Sequence, residues 1–253
     1  MKEERFFYVP DASDRLELPE EEAKHAIRVL RLHEGDEMFL QDGKGTFYHA
    51  LVSQTNNKHC YYTIDGTMPQ ERMWRGRIHL AIAPTKMMDR MEWMAEKATE
   101  VGFDELSFLD CKFSERKVIR CDRIGKIIVS AFKQSRKGWL PQVNDVVPFE
   151  EFVNSDIPGR KFICHCYNEI PKADFFSEIM GMTMSERSAE SRTSDSNDDD
   201  ITVLVGPEGD FSIDEVRMAM DNGFVSASLG KSRLRTETAG LSAVMMSQLA
   251  RRL

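Results

Sequence analysis

The chain has 253 residues, of which 41% are hydrophobic and 30% are charged, and its formal net charge is −8. This length holds one large or two modest domains, each with a core of its own. We expect no membrane span and no signal peptide, because no apolar stretch is long enough and the N-terminus is charged. The five cysteines, an odd number without regular spacing, indicate reduced thiols and therefore a cytoplasmic protein.

Residues 1–74 are predicted to form a small β-barrel domain. Short β-rich runs between Phe6 and Thr67 are separated by Asp-Gly, Gly-Lys-Gly and Asn-Asn turns. One helix is predicted within residues 19–32, where Lys24, Arg28 and Arg31 follow i, i+4, i+7 spacing and share a face. That face is either a solvated helix surface or a stripe that contacts RNA phosphates.

Residues 75–253 are predicted to form an α/β domain with a mostly parallel sheet, because strand patterns alternate with helical patterns. The predicted strands are 78–83, 106–109, 162–166, 201–205 and 226–229. A helix after the first strand carries an apolar stripe that includes Met87, Met91 and Met94 and ends at Gly102. This methionine stripe favours a core position over a cofactor site.

Charge is distributed unevenly along this domain. Nine Lys or Arg residues and two acids lie between Lys112 and Lys137, a density that suits phosphate contacts. Residues 186–200 instead carry six acids and two arginines in a Ser-rich tract, so an insertion over about 183–200 is predicted to be disordered. The local basic excess therefore keeps a nucleic-acid partner open despite the negative total.

Cys164, His165 and Cys166 raise the question of a metal site. They lie in an apolar run typical of a buried strand, and no second pair of ligands is near in the sequence. A buried strand is the favoured interpretation, and no metal is expected.

Two glycine-bearing loops near the C-terminus are the most informative feature. The first follows the apolar run 201–205 and reads Gly206-Pro207-Glu208-Gly209, after which Ser212 and Glu215 form a capping box that begins a helix ending at Gly223. The second, residues 229–235, opens the C-terminal helix. Both loops follow strands, so they can enclose a nucleotide-sized ligand at one sheet edge. The glycine spacings match neither a P-loop nor GxGxxG, which disfavours a mononucleotide held through its phosphates.

The loops GPEGDFS (206–212) and LGKSRLRTETA (229–239) resemble the signatures of the SPOUT methyltransferases, specifically the family that methylates N3 of a uridine in 16S rRNA. Three further segments resemble that family in the same order: HAIRVLRLHEGDEM (25–38), KMMDRMEWMAEKATEVGFDEL (86–106) and AFKQSRKGWLPQV (131–143). The chain departs from the pattern at Asp210, where the family usually has a glycine, and at Lys133, where it has a glutamate.

This resemblance implies a trefoil-knotted SPOUT domain, a PUA-like N-terminal domain and a homodimer. It also implies S-adenosyl-L-methionine as cofactor and the 16S rRNA of the small ribosomal subunit as substrate. A SPOUT enzyme acting on another rRNA or tRNA nucleotide is one alternative. A noncatalytic RNA-binding protein is the other, and specific binding of S-adenosylmethionine would discriminate against it.

The resemblance assigns binding roles to two sets of residues. The cofactor set is Leu204, Gly206, Pro207, Glu208, Gly209, Leu229, Gly230, Ser232 and Leu234, in which Glu208 either binds a ribose hydroxyl or only stabilises its loop. The RNA set is Lys24, Arg28, Arg31, Arg116, Gln134, Ser135 and Arg136. For 134–136, an exposed helix end without ligand is the alternative.

Uracil N3 carries a proton, so methyl transfer requires a proton acceptor and stabilisation of the imide anion. Glu237 and one of Arg233 or Arg235 are the catalytic candidates that can divide these tasks. In the alternative, Glu237 pairs with Arg235 or favours the helix N-terminus. Removal of the proton by solvent, with an arginine lowering the pKa of the nucleobase, fits equally well.

Overall fold

A computed structural model describes residues 4–186 and 199–252. The chain forms two compact units. Unit 1 comprises the chain up to Met73 together with Val129–Leu140, and unit 2 comprises Trp74–Ile128 together with Pro141–Leu253. The sequence patterns predict one boundary near residue 74, and they give no sign that residues 129–140 pack with the first unit.

Unit 1 is built on a four-stranded sheet in the order β1-β2-β3-β4. Its elements are β1 (Phe6–Tyr8), α1 (Glu20–Lys24), a π-helix (His25–Val29), β2 (Glu37–Gln41), β3 (Thr46–Thr55) and β4 (Cys60–Pro69). Strand β1 pairs with β2 in parallel, whereas β2–β3 and β3–β4 are antiparallel. The β3–β4 register shifts twice, which is typical of β-bulges that bend a strand pair.

The two faces of this sheet are covered by different parts of unit 1. One face contributes Phe7, Met38 and Leu40 to an apolar core, and each of these side chains is fully buried. Strand side chains alternate, so the neighbours Tyr8 and Gln41 point to the other face. There the ring of Tyr8 meets that of Phe132 edge-on at 5.8 Å, and the Gln41 amide donates to the Lys137 carbonyl at 3.0 Å. Residues 129–140 thus cover the second face.

Unit 2 is a parallel α/β structure with a seven-stranded sheet in the order β7-β6-β5-β10-β8-β11-β9. Its elements are β5 (Ile78–Ile82), α2 (Met88–Val101), β6 (Glu105–Asp110), α3 (Cys121–Gln134, which continues into unit 1), β7 (Gln142–Pro148), α4 (Phe149–Val153), β8 (Arg160–Cys164), β9 (Ala173–Asp174), α5 (Phe175–Glu186), β10 (Ile201–Val205), α6 (Ile213–Asp221), β11 (Val225–Ser228) and α7 (Thr236–Arg252). All six strand pairs are parallel. The predicted parallel sheet is confirmed, although β7 and β9 have no counterpart among the predicted strands.

The central strands explain the apolar runs in the sequence. Every residue of β5 and of β10 is buried, because helices cover both faces of a parallel sheet. Met91 and Met94 of α2 are fully buried as well, so these two methionines of the predicted stripe belong to the core, whereas Met87 precedes the helix and is 47% exposed. The helix predicted to end at Gly223 is α6, and Gly223 has a φ of 83°, a left-handed conformation that glycine adopts without strain.

A buried polar cluster lies where β5, β6 and β7 begin. His79 Nε2 and Ser107 Oγ are 2.8 Å apart, and the Asn144 amide donates to Ser107 Oγ at 2.9 Å and to Glu105 Oε1 at 2.5 Å. The guanidinium of Arg77 pairs with Glu105. Burial, reinforced by the positive charge of Arg77, lowers the pKa of His79 to about 3. The imidazole is therefore neutral in the folded protein at neutral pH.

Most of the insertion predicted to be disordered, 183–200, lies outside the described residues. Its two ends are structured, however. Residues 183–186 complete α5. Asp200 fixes the start of β10 through two hydrogen bonds. Its carboxylate accepts from the backbone N–H of Arg77 at 2.8 Å, and its carbonyl accepts from the backbone N–H of Arg160 at 2.8 Å. Within the described part of the chain, no helix is long and apolar enough to cross a membrane.

Candidate active site

The candidate site lies at the carboxyl edge of the unit 2 sheet. Strands β5, β10, β8 and β11 are adjacent and parallel, so the loops that follow them emerge at the same edge. These loops begin at Ala83, Gly206, His165 and Leu229. Ala83 donates its backbone N–H to the carbonyl of Val205 at 2.9 Å, which continues the β5–β10 pairing into the first two loops. Both glycine loops therefore lie where parallel sheets bind ligands.

The glycines of the two loops have different roles. A Cβ atom at Gly206 would lie 3.0 Å from the backbone nitrogen of Phe211, and one at Gly209 would lie 3.1 Å from Cβ of Phe113. A side chain at either position would therefore press on neighbouring atoms of the protein itself, so close internal packing favours glycine at both. Gly230 has a φ of 126° and open space where its Cβ would be. It is the glycine whose surroundings leave room for a ligand.

Asp210 joins the first loop to the loop after β8. Its φ is 67°, which is unusual for a residue other than glycine. Its carboxylate accepts from the backbone N–H of Cys166 at 2.8 Å and from that of Phe211 at 2.8 Å, while its own N–H donates to the Pro207 carbonyl at 2.9 Å. The aspartate thus occupies a tight turn before α6 and links two loops of the site.

Glu208 and Arg116 connect the first loop to the end of β5. The Glu208 carboxylate accepts from the backbone N–H of Lys86 at 2.9 Å, so it stabilises the loop, as one of its two predicted roles requires. Arg116, predicted to bind RNA, donates to the carbonyls of Thr85 at 3.2 Å and Lys86 at 2.8 Å. In this structure the guanidinium positions the backbone of residues 85–86.

The predicted capping box is present at the start of α6. The Glu215 backbone N–H donates to Ser212 Oγ at 3.3 Å, and the Ser212 backbone N–H donates to Glu215 Oε2 at 2.7 Å. The other carboxylate oxygen, Oε1, accepts from the backbone N–H of Lys112 at 2.8 Å. Glu215 therefore holds both the helix start and the loop that follows β6.

The remaining cofactor candidates differ in exposure. Leu204 is fully buried in the apolar core and Pro207 is buried, so their side chains pack inside the protein. Leu229 and Leu234 are half-buried, whereas Gly230 and Ser232 are exposed. The second loop thus presents partly accessible apolar groups.

The three catalytic candidates fall into two environments. Arg233 and Arg235 are exposed, and neither guanidinium has a hydrogen bond or ion pair to another described residue. Glu237, in the first turn of α7, is only 6% exposed, and its Oε2 has no hydrogen-bond partner among the described residues. Oε1 lies 3.8 Å from Nε of Arg90. The cationic neighbour of Glu237 is therefore Arg90 rather than Arg235.

Cysteines near the site are poor nucleophiles. Burial, and then the negative charge of Asp210, raise the pKa of the Cys166 thiol, while the nearby Arg233 partly opposes this rise. Burial also raises the pKa of Cys164 to about 12. His165 Nε2 lies 2.9 Å from Ser226 Oγ. Among residues 4–186 and 199–252, no group of three His, Cys, Asp or Glu side chains has the arrangement of a metal site.

The basic segment between Lys112 and Lys137 is less positive in three dimensions than in sequence. At least six of its nine cations lie within 4.0 Å of a carboxylate: Lys112–Asp214, Lys117–Asp110, Arg120–Asp122, Arg123–Glu92, Lys133–Glu22 and Arg136–Glu4. Most partners are distant in sequence. The local excess of +7 counted along the chain therefore overstates the charge offered to a polyanion.

Lys133, which departs from the family pattern, has a defined partner. Its ammonium lies 2.6 Å from Glu22 Oε1, and the two side chains are 22% and 10% exposed. The second oxygen of Glu22 is buried and has no hydrogen-bond partner among the described residues. The lysine thus neutralises a largely buried carboxylate inside unit 1.

The RNA stripe predicted on one helix does not have the predicted geometry. The α-helix gives way to the π-helix after Lys24, which widens the turn that contains Arg28, and Arg31 lies beyond the helix with a φ of 52°. All three side chains are exposed. Spacing of i, i+4, i+7 therefore does not align them on one α-helical face, although π-helical turns are frequent at functional sites.

Residues 134–136 end α3 inside unit 1. Gln134 is exposed, and Ser135 Oγ donates to the Ala131 carbonyl at 2.7 Å. Arg136 lies over the ring of Phe6 at 4.9 Å and 2.5 Å from Glu4. The hydroxyl of Ser135 and the guanidinium of Arg136 thus have partners within the protein, as at an ordinary helix end.

The family follows from comparison with known proteins. The RNA methyltransferase domain family matches residues 72–248. The chain belongs to this RNA methyltransferase family. The PUA domain of RNA methyltransferases matches residues 18–65, within unit 1. These matches confirm the family that the sequence motifs predict.

Individual relatives match nearly the whole chain. Ribosomal RNA small subunit methyltransferase E of Bacillus subtilis is 28% identical over 238 residues, 88% of this chain and 86% of that protein. The structure of a probable rRNA-methyltransferase from Porphyromonas gingivalis is 36% identical, with a TM-score of 0.85 and 98% coverage of both chains. Ribosomal RNA small subunit methyltransferase E from Neisseria gonorrhoeae, solved bound to S-adenosyl methionine, is 25% identical, with a TM-score of 0.76 and 98% coverage of both. The α/β fold with a PUA-like first domain is confirmed.

Sequence reasoning missed three residues that surround the site. Arg90 lies beside Glu237, Lys86 is bonded by Glu208, and Phe113 packs on Gly209. Lys86 and Arg90 lie in the segment 86–106 that resembles the family, and Phe113 soon follows a strand whose carboxyl end lies at the site. The packing of α2 against α7, which brings Arg90 beside Glu237, could not be predicted from that resemblance.

Proposed function

We propose that this protein transfers the methyl group of S-adenosyl-L-methionine to N3 of a uridine in 16S rRNA. The observation that carries the proposal is the carboxyl edge of the sheet, where one loop and the helix it opens supply two exposed arginines and a buried carboxylate, one oxygen of which has no hydrogen-bond partner within 4–186 and 199–252. The family and the rRNA methyltransferases that match the full chain support the substrate class.

The loops fit the cofactor. Gly230 leaves open space beside the half-buried Leu229 and Leu234, which suits an adenosine and methionine held by backbone and apolar contacts. The bound structure of the Neisseria relative supports the same ligand. When bound, S-adenosylmethionine supplies a methyl group already activated by its sulfonium. The protein's task is therefore to orient the nucleobase and manage one proton.

The charged groups divide that task. Glu237 has an oxygen with no partner in the part of the chain that the structure describes, and that oxygen can accept the N3 proton, while the Arg90 guanidinium lies 3.8 Å from the other oxygen. Arg233 and Arg235, whose guanidinium groups are exposed and have no partner among the described residues, can stabilise the imide anion that forms on the uracil. The two cysteines contribute no nucleophile, because their pKa values are raised, and none is needed for direct transfer to nitrogen.

Arg235→Ala tests this assignment. We expect methyl transfer to fall by about 100-fold or more, the typical effect of removing one group that stabilises developing charge, while S-adenosylmethionine binding and thermal unfolding stay unchanged. The assay is transfer of tritiated methyl to small ribosomal subunits that lack uridine-N3 methylation, followed by nucleoside identification. Lys231→Ala, an exposed cation of the same loop, is the control. Full activity of Arg235→Ala would remove the arginine from the mechanism. Label in tRNA, or in a different rRNA nucleoside, would keep the enzyme class and change the substrate.

We also propose that the enzyme is a cytoplasmic homodimer with a trefoil-knotted second domain. The insertion of β10 between β5 and β8, which both precede it in the chain, supports the knot. Exposed apolar side chains on two packed helices, Trp93 of α2 and Met245 and Leu249 of α7, support a subunit interface. Sedimentation equilibrium at micromolar concentration tests the dimer, and a monomer would contradict it.

A further inference from the structure

Phe113 is an exposed aromatic side chain beside the candidate site. It lies in the loop between β6 and α3, and it is 46% exposed. Its Cβ atom packs against Gly209, since a Cβ added at that glycine would lie 3.1 Å away. The Phe113 side chain therefore packs beside the backbone of the first glycine loop, and nearly half of it is accessible to solvent.

The backbone around Phe113 is held on both sides. Lys112 donates its backbone N–H to Glu215 Oε1 at 2.8 Å, and Ser114 Oγ accepts from the backbone N–H of Cys111 at 3.0 Å. Two residues further on, Arg116 donates to the Lys86 carbonyl at 2.8 Å. An aromatic ring carried on so constrained a backbone loses little conformational freedom when it binds a ligand.

One cation lies beside the ring, and a second is paired with Glu115, two residues further along the same loop. The Lys112 ammonium lies 5.8 Å from the ring centre and 3.9 Å from Asp214, and Lys86 lies 3.0 Å from Glu115. Both ion pairs are largely exposed, so they contribute little to stability and can exchange a carboxylate for a phosphate at small cost. A flat apolar ring with an exposed lysine beside it fits a nucleobase attached to a phosphate backbone.

We propose that Phe113 is a stacking platform for an unstacked base of the RNA substrate, next to the cofactor loop. This inference rests on the proposed function, because it assigns a substrate contact to the same site. A base whose N3 is methylated must leave its helical stack, and aromatic side chains are the usual partners of splayed RNA bases. The platform therefore acts on RNA affinity and orientation, and it leaves cofactor binding unchanged.

The decisive variant is Phe113→Ala, because alanine keeps the Cβ atom that packs on Gly209 and removes only the ring. We expect kcat/KM for RNA to fall roughly 5- to 150-fold, the range for loss of one stacked base, with the Kd for S-adenosylmethionine within about twofold of wild type. Phe113→Tyr should retain activity, and Phe113→Leu, which keeps apolar volume without a ring, should resemble Phe113→Ala.

Several results would overturn the proposal. An unchanged kcat/KM in Phe113→Ala or full activity in Phe113→Leu would each do so. A loss of affinity for S-adenosylmethionine in Phe113→Ala as large as the loss in kcat/KM would also do so, as would an oligomeric state of that variant that differs from wild type. Its failure is distinguishable from failure of the proposed function. If wild type labels 16S rRNA but Phe113→Ala is equally active, only the platform is wrong. If wild type labels no rRNA, the function is wrong, and the platform is decided by whether Phe113→Ala weakens binding of a single-stranded RNA oligonucleotide.

Discussion

Replacing Asp210 tests how the site is assembled. The carboxylate accepts two backbone N–H groups at 2.8 Å, one from Phe211 in its own loop and one from Cys166 in the loop after β8. A hydrogen bond to a charged group contributes about 1.5–3 kcal/mol, and the lower end applies because Asp210 is half-exposed. Alanine at a φ of 67° adds about 1 kcal/mol of backbone strain. We therefore expect Asp210→Ala to lower the free energy of unfolding by about 3–4 kcal/mol.

Two further substitutions separate strain from the link between loops. Glycine removes the strain and both hydrogen bonds, so Asp210→Gly should lose about 2–3 kcal/mol. Asparagine tolerates the left-handed conformation and keeps one acceptor oxygen, but its amide nitrogen faces the other backbone N–H donor, so Asp210→Asn should lose about 2 kcal/mol. Because the loop after β8 is released in both Asp210→Ala and Asp210→Gly, the Kd for S-adenosylmethionine should rise about 5- to 30-fold in each, equivalent to about 1–2 kcal/mol.

Urea unfolding monitored by circular dichroism gives the stabilities, and calorimetric titration with S-adenosylmethionine gives the affinities. The expected order of stability is wild type, Asn, Gly, Ala. The reasoning is refuted if Asp210→Gly equals wild type in both measurements, since the backbone conformation alone would then explain the residue. A variant that loses stability but binds the cofactor normally would show that the link between loops does not shape the site.

Two other predictions concern stability. Lys133→Glu leaves two carboxylates facing each other in unit 1 and should lower the free energy of unfolding by about 2–4 kcal/mol. Adding Glu22→Lys should restore most of that free energy, as measured by urea unfolding. If the double variant is no more stable than Lys133→Glu, the two residues are not coupled. For His79, the pKa of about 3 in the folded state lies below the ordinary 6.5, so stability is fully present above pH 6.5 and falls as the pH drops toward 3. Between these pH values the free energy of unfolding should change by up to about 1.4 kcal/mol per pH unit. His79→Gln, which keeps a polar group toward Ser107, should make this dependence on pH weaker. An equally steep dependence in that variant would exclude His79 as its source.

Features set by short stretches of sequence were predictable. The capping box joins Ser212 to Glu215 within one turn, and Gly223 ends its helix by a local conformation, so neighbouring residues contain all the information. The strands β5 and β10 were equally clear, because burial on both faces requires continuous apolar runs. Because both glycine loops follow predicted strands, their position at one edge of the sheet was predictable as well.

Features set by tertiary packing were not predictable. The partner of Lys133 is Glu22, and the neighbour of Glu237 is Arg90, and each pair is separated by more than a hundred residues. The π-helix that disrupts the predicted basic stripe was not predictable either, since the i, i+4, i+7 spacing of the cations fits an ordinary α-helix. The ion pairs of the segment 112–137 were not predictable for the same reason, because most of the carboxylates come from other elements.

Glu215 carries a constraint that its sequence motif hides. A capping box ordinarily accepts glutamine in place of glutamate, since one side-chain oxygen suffices for the N-cap N–H. Here the second oxygen accepts from the Lys112 N–H, and the amide nitrogen of glutamine would point a donor at another donor. Glu215→Gln should therefore destabilise the protein, although consensus-based stabilisation would treat it as neutral. The start of α6 and the loop that follows β6 must be redesigned together.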